Sequence, residues 1–435
     1  MLEQVVKKNW LRACIVLMTL GTLTSAQVSQ PVAPEQAGLS KQRLDRIRTA
    51  MEKAAAEKRL AGGVGLIVRR GKIAYFETYG MADREAGRPM SKDSIFRIFS
   101  MTKAVTAVAV MSLYEEGRFA LTDPVARYLP EFTTMTVAIE KDDPATRKRV
   151  LSHTVPAERP MTILDLLRHT SGLDYSGPHD AKGELIYQRL GLAPTGGAAF
   201  PLAEFVKKVA QTPLVHQPGT IWDYGLSIDV LGRLVEVVSG QALDQFFADR
   251  ILKPLRMDDT GFFVPSQKVS RLAALYNPTP DGTVERAPDR DQESAKTKPV
   301  TLMGGAGLMS TAADYTRFAT MLLNGGELDG VRILSPKTVS LMRSDVLGGL
   351  PRAGGILAPG YGFGLTFAVN RGPGPTPAIG SRGEYSWGGA AGTTFWIDPE
   401  EQMVGVFMMQ TMFDLGTGSL FKQLAYQAIV DVEKK

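Results

Sequence analysis

The sequence Ser100-Met101-Thr102-Lys103 stands directly before the run Ala-Val-Thr-Ala-Val-Ala-Val-Met-Ser-Leu-Tyr-Glu-Glu-Gly at positions 104–117. A run so rich in Ala, Val and Met predicts a helix that is buried on nearly every side and closed by Gly117 in a left-handed conformation. Serine is a preferred N-cap, so we expect Ser100 to begin this helix and Lys103 to lie on the same face one turn later. The two side chains are therefore predicted to touch.

A lysine at the start of a buried helix has a chemical use. The positive end of the helix dipole and the burial both favour the neutral amine of Lys103 over its ammonium form. A neutral amine accepts a proton from a hydroxyl group, and this turns a weakly nucleophilic serine into a nucleophile. The alternative is a capping serine beside a lysine that extends to solvent. A second Ser-x-x-Lys, Ser419-Leu-Phe-Lys422, has no accompanying motif, so the weight of the first depends on its partners.

Composition limits the classes of protein that this chain can represent. The chain has 435 residues, 44% of them hydrophobic and 22% charged, which allows a large core. The formal net charge is +5, and Lys7, Lys8 and Arg12 set against Glu3 account for two of those charges. The remainder is too weakly basic to predict binding to nucleic acid.

The N-terminal residues have the pattern of an export signal. A basic segment is followed by an apolar stretch at 13–23 and by the small residues Thr24-Ser25-Ala26. We predict a signal peptide over 1–26, a linker over 27–39 and a mature protein that is periplasmic or secreted and has no membrane span; an N-terminal membrane anchor is the alternative. The only cysteine, Cys14, lies within the signal. The mature chain would then have no disulfide, thiol nucleophile or cysteine-bound metal, and we predict no cofactor.

Strand patterns at the two ends of the chain flank a helical middle. The N-terminal part predicts a helix over 41–57 capped by Ser40 and a hairpin of 63–70 with 72–79 around Gly71. Further predictions are a polar excursion at 140–159, helices over 161–169, 228–238, 312–323 and 419–432, a strand over 361–369, and a hairpin of 393–398 with 403–409. We therefore predict an α+β fold over 40–435. One antiparallel sheet is built from about 40–99 and 345–435, a mainly helical region of about 100–344 is inserted, and a ligand site lies at their border.

A serine activated by a lysine also needs a proton donor for the leaving group and N–H donors for the oxyanion. Tyr224 follows a turn and precedes a helix, which lets its hydroxyl enter a cleft. Gly388 and Gly389, after Trp387 and before Ala390, allow a substrate carbonyl to approach backbone N–H groups. A core aromatic at a strand end is the alternative interpretation of Trp387.

Taken together and in order, these motifs resemble the serine β-lactamase and penicillin-binding protein superfamily. The motifs are Phe99-Ser-Met-Thr-Lys103, Leu166-Leu-Arg-His-Thr-Ser-Gly-Leu173, Pro218-Gly-Thr-Ile-Trp-Asp-Tyr224, Asp229-Val-Leu-Gly232, Gly305-Ala-Gly-Leu-Met-Ser-Thr311 and Trp387-Gly-Gly389. Within the superfamily, the chain is most similar to the class C-like branch and to the family VIII carboxylesterases.

The resemblance implies a role for each matching residue. Ser100 matches the serine that is acylated, Lys103 its partner, and Tyr224 the tyrosine that shuttles the proton to the leaving group. The oxyanion hole would be formed by the backbone N–H groups of Ser100 and Ala390. The segment Trp387-Gly388-Gly389 falls where the lactamases have Lys-Thr-Gly.

Two departures from the lactamase pattern favour an ester substrate. The Tyr-x-Asn asparagine is replaced by Leu226, and the Lys-Thr-Gly lysine is replaced by Trp387, so both binding positions for an anionic β-lactam are changed. We predict that Trp387, Gly388, Gly389 and Leu226 contact a small neutral acyl ester and that the protein is a carboxylesterase acting on short-chain esters.

Other functions remain open from the sequence. The same mechanism serves a β-lactamase, a D-amino acid-specific peptidase or amidase, and acyl transfer to an alcohol. A non-catalytic peptidoglycan-binding module on the same fold is a further alternative. An α/β-hydrolase is rejected because the nearest match to Gly-x-Ser-x-Gly, Glu384-Tyr-Ser386-Trp-Gly388, lacks the first glycine. No oligomeric state is predicted.

Overall fold

The structure, a computed structural model, describes residues 31–192, 200–374, 379–414 and 416–431. Its strands are β1 Gly62–Arg69, β2 Lys72–Asp83, β3 Arg88–Pro89, β4 Phe96–Arg97, β5 Thr136–Asp142, β6 Arg149–Pro156, β7 Tyr276–Pro278, β8 Val284–Arg286, β9 Met309–Ser310, β10 Glu327–Leu328, β11 Val331–Arg332, β12 Tyr361–Phe363, β13 Ala368–Asn370, β14 Tyr385–Gly388, β15 Thr394–Asp398 and β16 Met403–Met409.

The α-helices are spread along the same residues and concentrate between the two groups of long strands. They are α1 Lys41–Ala56, α2 Thr102–Glu115, α3 Ile163–Leu167, α4 Ile186–Arg189, α5 Leu202–Ala210, α6 Ser227–Ser239, α7 Leu243–Phe247, α8 Asp289–Glu293, α9 Ala312–Leu323, α10 Pro336–Met342 and α11 Gly416–Tyr426.

One eight-stranded antiparallel sheet joins the two ends of the chain. Its order is β12-β13-β14-β15-β16-β1-β2-β3, so that β1 pairs with β16 and Leu66 lies opposite Val406. The predicted hairpin between β1 and β2 is confirmed, and its two turn residues, Arg70 and Gly71, both have positive φ, as a tight two-residue turn requires. The predicted α+β fold, with a sheet from both ends and an inserted helical region, is confirmed.

Both faces of the sheet are covered, so neighbouring residues of one strand enter different apolar cores. On β15, the ring of Trp396 packs 5.8 Å from Phe421 of α11, whereas Phe395 packs 5.0 Å from Tyr315 of α9. Successive side chains of a strand point to opposite faces, which explains why β15 and β16 are nearly continuous in apolar residues. α1 and α11 cover one face, and the helical region covers the other.

The helix α2 is as buried as its composition predicts. Every side chain from Thr102 to Leu113 is buried, and Gly117 has the positive φ of a residue just beyond a helix end. The predicted capping role of Ser100 is wrong. A 3-10 turn, Phe99–Met101, precedes α2, and no side chain caps the first turn of that helix.

Three further predictions of secondary structure need correction. The strand predicted over 361–369 is two short strands, β12 and β13, because the chain turns back between them at Thr366, which has a φ of 79°. The helix predicted over 161–169 is only α3, which begins at a capping box between Thr162 and Asp165. The excursion predicted over 140–159 includes most of the hairpin of β5 and β6.

The signal peptide predicted over 1–26 lies outside the described residues. Among the residues that are described, no helix combines the length and the apolar character needed to span a bilayer.

Candidate active site

Ser100 lies in the 3-10 turn that leads into α2, at the border of the sheet and the helical region. The preceding residue, Phe99, has a φ of 41°, a conformation that is unfavourable for a residue with a Cβ. The surrounding structure must therefore hold this turn. One such contact is the Tyr315 hydroxyl, which donates a hydrogen bond of 2.9 Å to the carbonyl of Met101.

Lys103 is fully buried, and its ammonium group has a hydrogen-bond partner for each of its three N–H bonds. It donates to the Ser100 Oγ at 3.3 Å, to the Tyr175 hydroxyl at 2.8 Å and to the carbonyl of Gly305 at 2.7 Å. The predicted contact between Ser100 and Lys103 is present, but it is the longest of the three.

An aromatic group surrounds the lysine. The Lys103 Nζ lies 4.8 Å from the centroid of the Tyr224 ring and 5.5 Å from that of Tyr175, and these two rings meet edge to face at 5.3 Å. The indole Nε1 of Trp387 donates a hydrogen bond of 3.0 Å to the Tyr224 hydroxyl. Cation–π attraction and the indole hydrogen bond together fix the position of Tyr224.

His169 supports this aromatic group from within the protein. It is fully buried, and its ring lies 4.8 Å from the ring of Tyr224. Burial, and then the charge of Lys103, hold the pKa of His169 well below its usual value, so the imidazole is neutral. Its Nδ1 accepts a hydrogen bond of 3.4 Å from the N–H of Gly225, and its Nε2 has no partner among the described residues. His169 is therefore a packing residue.

The phenol of Tyr175 stays protonated at neutral pH. Burial raises its pKa well above the usual value, and the neighbouring Tyr224 and Asp229 act in the same direction. Hydrogen bonding to the Ser100 side chain opposes this shift. A protonated phenol between Ser100 and Lys103 both donates and accepts hydrogen bonds.

Asp229 and Gly305 hold the lysine from the other side. The Asp229 carboxylate is buried and accepts a hydrogen bond of 2.7 Å from the N–H of Gly305, whose carbonyl accepts from Lys103. Burial raises the pKa of Asp229, and the charge of Lys103 opposes the rise. A Cβ on residue 305 would lie 2.6 Å from the Asp229 carboxylate, so this close approach depends on glycine.

The glycine segment after β14 lies against the residues that precede Ser100. A Cβ on Gly389 would lie 2.4 Å from the carbonyl oxygen of Ile98, so the two backbones are in direct contact. The carbonyl of Ala390 accepts a hydrogen bond of 2.6 Å from the N–H of Phe413, which anchors this segment. The two predicted oxyanion donors thus lie on adjoining stretches of backbone.

The structure brings most of the predicted site residues together. Ser100, Lys103, Tyr224 and Trp387 are linked directly or through Tyr175, and Gly388 and Gly389 continue the chain from Trp387. Leu226 differs, because its side chain is fully buried within the main apolar core. A contact between Leu226 and the substrate stays a prediction.

Two residues at the site were not singled out as site residues from the sequence. Tyr175 lies two positions after the Leu166–Leu173 motif, in a segment that has no regular pattern, so only its place beside a known motif could have indicated it. Asp229 begins the Asp229–Gly232 motif, but its contact with Gly305 joins two distant motifs.

The second Ser-x-x-Lys motif has a structural explanation. Lys422 forms an ion pair of 2.6 Å with the fully buried Glu384 and donates a hydrogen bond of 3.2 Å to the Tyr361 hydroxyl. Ser419 lies on the exposed side of α11. Lys422 therefore ties α11 to the sheet.

The described residues around Ser100 form no metal-binding cluster, and the cavity found in the structure lies apart from them. Within the described ranges, no group of three or more His, Cys, Asp or Glu side chains is arranged to hold a metal ion. A separate cavity of about 340 Å³ is lined by Glu140, His179, His216 and Asp223, among others. It has no wall residue in common with the group around Lys103.

Comparison with known proteins identifies the family to which this chain is similar. Residues 47–424 match the sequence model of the family described as Beta-lactamase. Protein Rv1367c of Mycobacterium tuberculosis (strain ATCC 25618 / H37Rv) is 38% identical over 363 residues, which cover 82% of this chain and 87% of the relative. Esterase EstB of Burkholderia gladioli is 33% identical over 392 residues, with 86% of this chain and 92% of the relative covered.

A solved structure agrees with the fold. It is described as EstCE1, a hydrolase with promiscuous acyltransferase activity. Its TM-score with this chain is 0.73 at 30% sequence identity, and the match covers 89% of this chain and 98% of the other.

Proposed function

The chain belongs to the Beta-lactamase family, and on this basis we propose that it is a carboxylesterase that hydrolyses small acyl esters through an acyl-serine intermediate. At the coarser level it is a serine hydrolase of the β-lactamase fold. The resemblance to Esterase EstB supports the choice of an ester as substrate.

The proposed reaction uses the groups around Lys103. The Ser100 Oγ attacks the ester carbonyl carbon while its proton passes toward Lys103. The oxyanion that forms is stabilised by the backbone N–H groups of Ser100 and Ala390. As the ester C–O bond breaks, Lys103 and Tyr224 return the proton to the departing alkoxide, and water then attacks the acyl-serine in the same way.

The contact between Ser100 and Lys103 at the buried start of α2 is the observation that supports this proposal best. The indole of Trp387 supports the choice of substrate, because it presents a neutral donor where a lactamase has a cation. Without that cation, the position of Trp387 has no charge that attracts a substrate carboxylate. The affinity for a neutral ester does not depend on such a charge.

The test compares Ser100→Ala with Ser419→Ala, the same change at the second Ser-x-x-Lys. With p-nitrophenyl butyrate, Ser100→Ala should lose several orders of magnitude in kcat, as removal of a nucleophile does, and should no longer be labelled by a fluorophosphonate probe. Ser419→Ala should behave as the unmodified chain does. Full activity in Ser100→Ala would refute the proposal.

The substrate class has its own test. The kcat/KM for p-nitrophenyl butyrate should exceed that for nitrocefin under the same conditions. The opposite order would favour the β-lactamase alternative, and turnover of D-alanyl-D-alanine peptides in place of esters would favour the peptidase. A chain with no turnover and no probe labelling would fit the non-catalytic module.

Acyl transfer is a second candidate, which the description of EstCE1 as a hydrolase with promiscuous acyltransferase activity favours. An alcohol in place of water would attack the same acyl-serine. Adding a small alcohol to the ester assay and measuring the ratio of transferred ester to free acid separates the two reactions.

We also propose that the protein is periplasmic or secreted, on the basis of residues 1–26. The basic start, the apolar stretch and the small residues at 24–26 support this. The mass of the mature chain after expression from the full sequence tests it, because cleavage after Ala26 would leave a chain that begins at Gln27.

A further inference from the structure

We propose that Tyr175 is a catalytic residue that relays the proton between Ser100 and Lys103. The inference rests on the proposed acyl-serine chemistry and adds a residue to it. The Tyr175 hydroxyl accepts a hydrogen bond of 2.8 Å from the Lys103 Nζ, which also contacts the Ser100 Oγ at 3.3 Å. The Ser100 side chain lies near enough to Tyr175 to influence the pKa of its phenol.

The hydrogen bonds of Lys103 show where its lone pair must point when it acts as a base. A neutral amine has two N–H bonds and one lone pair. The Gly305 carbonyl only accepts, so its 2.7 Å contact uses one N–H. The lone pair must then face one of the two hydroxyl groups, each of which is able to donate. Tyr175 at 2.8 Å is closer than Ser100 at 3.3 Å, which lies beyond the usual length of such a bond.

Tyr224 does not occupy this relay position. Its hydroxyl accepts the indole hydrogen bond of Trp387, and Lys103 lies over the face of its ring. Within the described part of the chain, the hydrogen-bond partners of Lys103 are Ser100, Tyr175 and Gly305. Tyr224 instead contacts Tyr175, so its influence on the proton passes through that second phenol.

The relay balances without a charged phenol. As the Ser100 Oγ bonds to the carbonyl carbon, its proton moves to the oxygen of Tyr175, and Tyr175 passes its own proton to the amine of Lys103. When the ester C–O bond breaks, the Lys103 ammonium gives a proton to Tyr175, Tyr175 gives its own to Tyr224, and Tyr224 gives its own to the departing alkoxide. Tyr175 is neutral before and after each step, which suits a phenol whose pKa is raised well above its usual value.

The test compares Tyr175→Phe with Tyr187→Phe, a buried tyrosine in the following segment whose hydroxyl accepts a hydrogen bond of 3.4 Å from Thr212. Burst kinetics with p-nitrophenyl butyrate give the acylation rate separately from the later steps. Tyr175→Phe should slow acylation by about 100-fold, the low end of the effect of losing a positioned proton-transfer group, with little change in KM. Tyr187→Phe should acylate within about twofold of the unmodified chain.

Two results would overturn the relay. One is acylation by Tyr175→Phe within about threefold of the unmodified rate while Ser100→Ala is inactive; the proposed function would then stand without it. The other is an equal loss in Tyr175→Phe and Tyr187→Phe, which would indicate a structural effect. Activity in Ser100→Ala would remove the proposed function itself.

A measurement on the unmodified chain covers the case in which Tyr175→Phe does not fold. During acylation the relay moves two protons, one from Ser100 to Tyr175 and one from Tyr175 to Lys103. The acylation rate in mixtures of H2O and D2O should therefore fall along a curve as the D2O fraction rises. A linear fall, which a single moving proton gives, would refute the relay.

Discussion

Replacing Gly389 by alanine should remove most of the hydrolytic activity, because the structure leaves no room for a methyl group there. A Cβ at this position would lie 2.3 Å from the Thr393 Oγ1 and 2.4 Å from the carbonyl oxygen of Ile98. Ordinary contact begins near 3.4 Å, so one of the two backbones must move by about 1 Å.

Either movement affects the proposed oxyanion hole. Ala390 follows Gly389 directly, and Ile98 lies two residues before Ser100, so the shift separates the two N–H donors. A misplacement of about 1 Å costs roughly 100-fold in rate, and loss of one oxyanion donor costs about 100- to 1,000-fold. We therefore expect kcat for p-nitrophenyl butyrate to fall by about 100- to 1,000-fold.

Gly388→Ala is the matched control. Its Cβ would lie 3.2 Å from the carbonyl oxygen of Thr393, a contact that a shift of a few tenths of an ångström relieves. We expect its kcat to fall by less than about tenfold and both variants to keep cooperative thermal unfolding. Equal losses in the two variants, or near-normal turnover by Gly389→Ala, would refute the reasoning.

Three further predictions concern other parts of the molecule. Trp387→Phe removes the indole donor to Tyr224 and should lower kcat about tenfold with p-nitrophenyl butyrate; an unchanged kcat would show that the bond has no role in turnover. Lys422→Met leaves the buried Glu384 without its cation and should lower the free energy of unfolding in urea by about 3–5 kcal/mol, with the kcat of the folded protein unchanged. Burial raises the pKa of Asp314 to about 6, above its value in the unfolded chain. The free energy of unfolding should therefore fall as the pH rises from about 4 through 6, by about 3 kcal/mol in total. Asp314→Asn should remove this loss in urea titrations at several pH values, and a parallel decline in both chains would contradict it.

Local sequence pattern alone predicted several elements correctly. The helix α2 is buried on nearly every side, so its composition identified it, and α1 is amphipathic with a serine that does cap it. The hairpin around Gly71 followed from two strand-like runs on either side of that glycine. In these elements, residues that are close in sequence determine both the periodicity and the boundaries, so the elements can be predicted without knowledge of distant contacts.

The errors occur where a distant contact or an unusual φ decides the structure. His169 and Thr366 both adopt positive φ, which ends a predicted helix early and divides a predicted strand. Phe99 also has a positive φ, so Ser100 lies in a turn before α2 and does not cap the helix. Tertiary packing holds these conformations, and no local preference of the residues indicates them.

For the site, the sequence by itself determined that Ser100 and Lys103 lie close together. Two residues three positions apart at the start of a helix are neighbours whatever the remainder of the chain does. Only the tertiary structure decided which groups share the lysine. Tyr175 and Gly305 are separated from Lys103 by 72 and 202 positions and approach it more closely than Ser100 does. Such contacts depend on how the helical region folds back onto α2, which no pattern within either segment specifies.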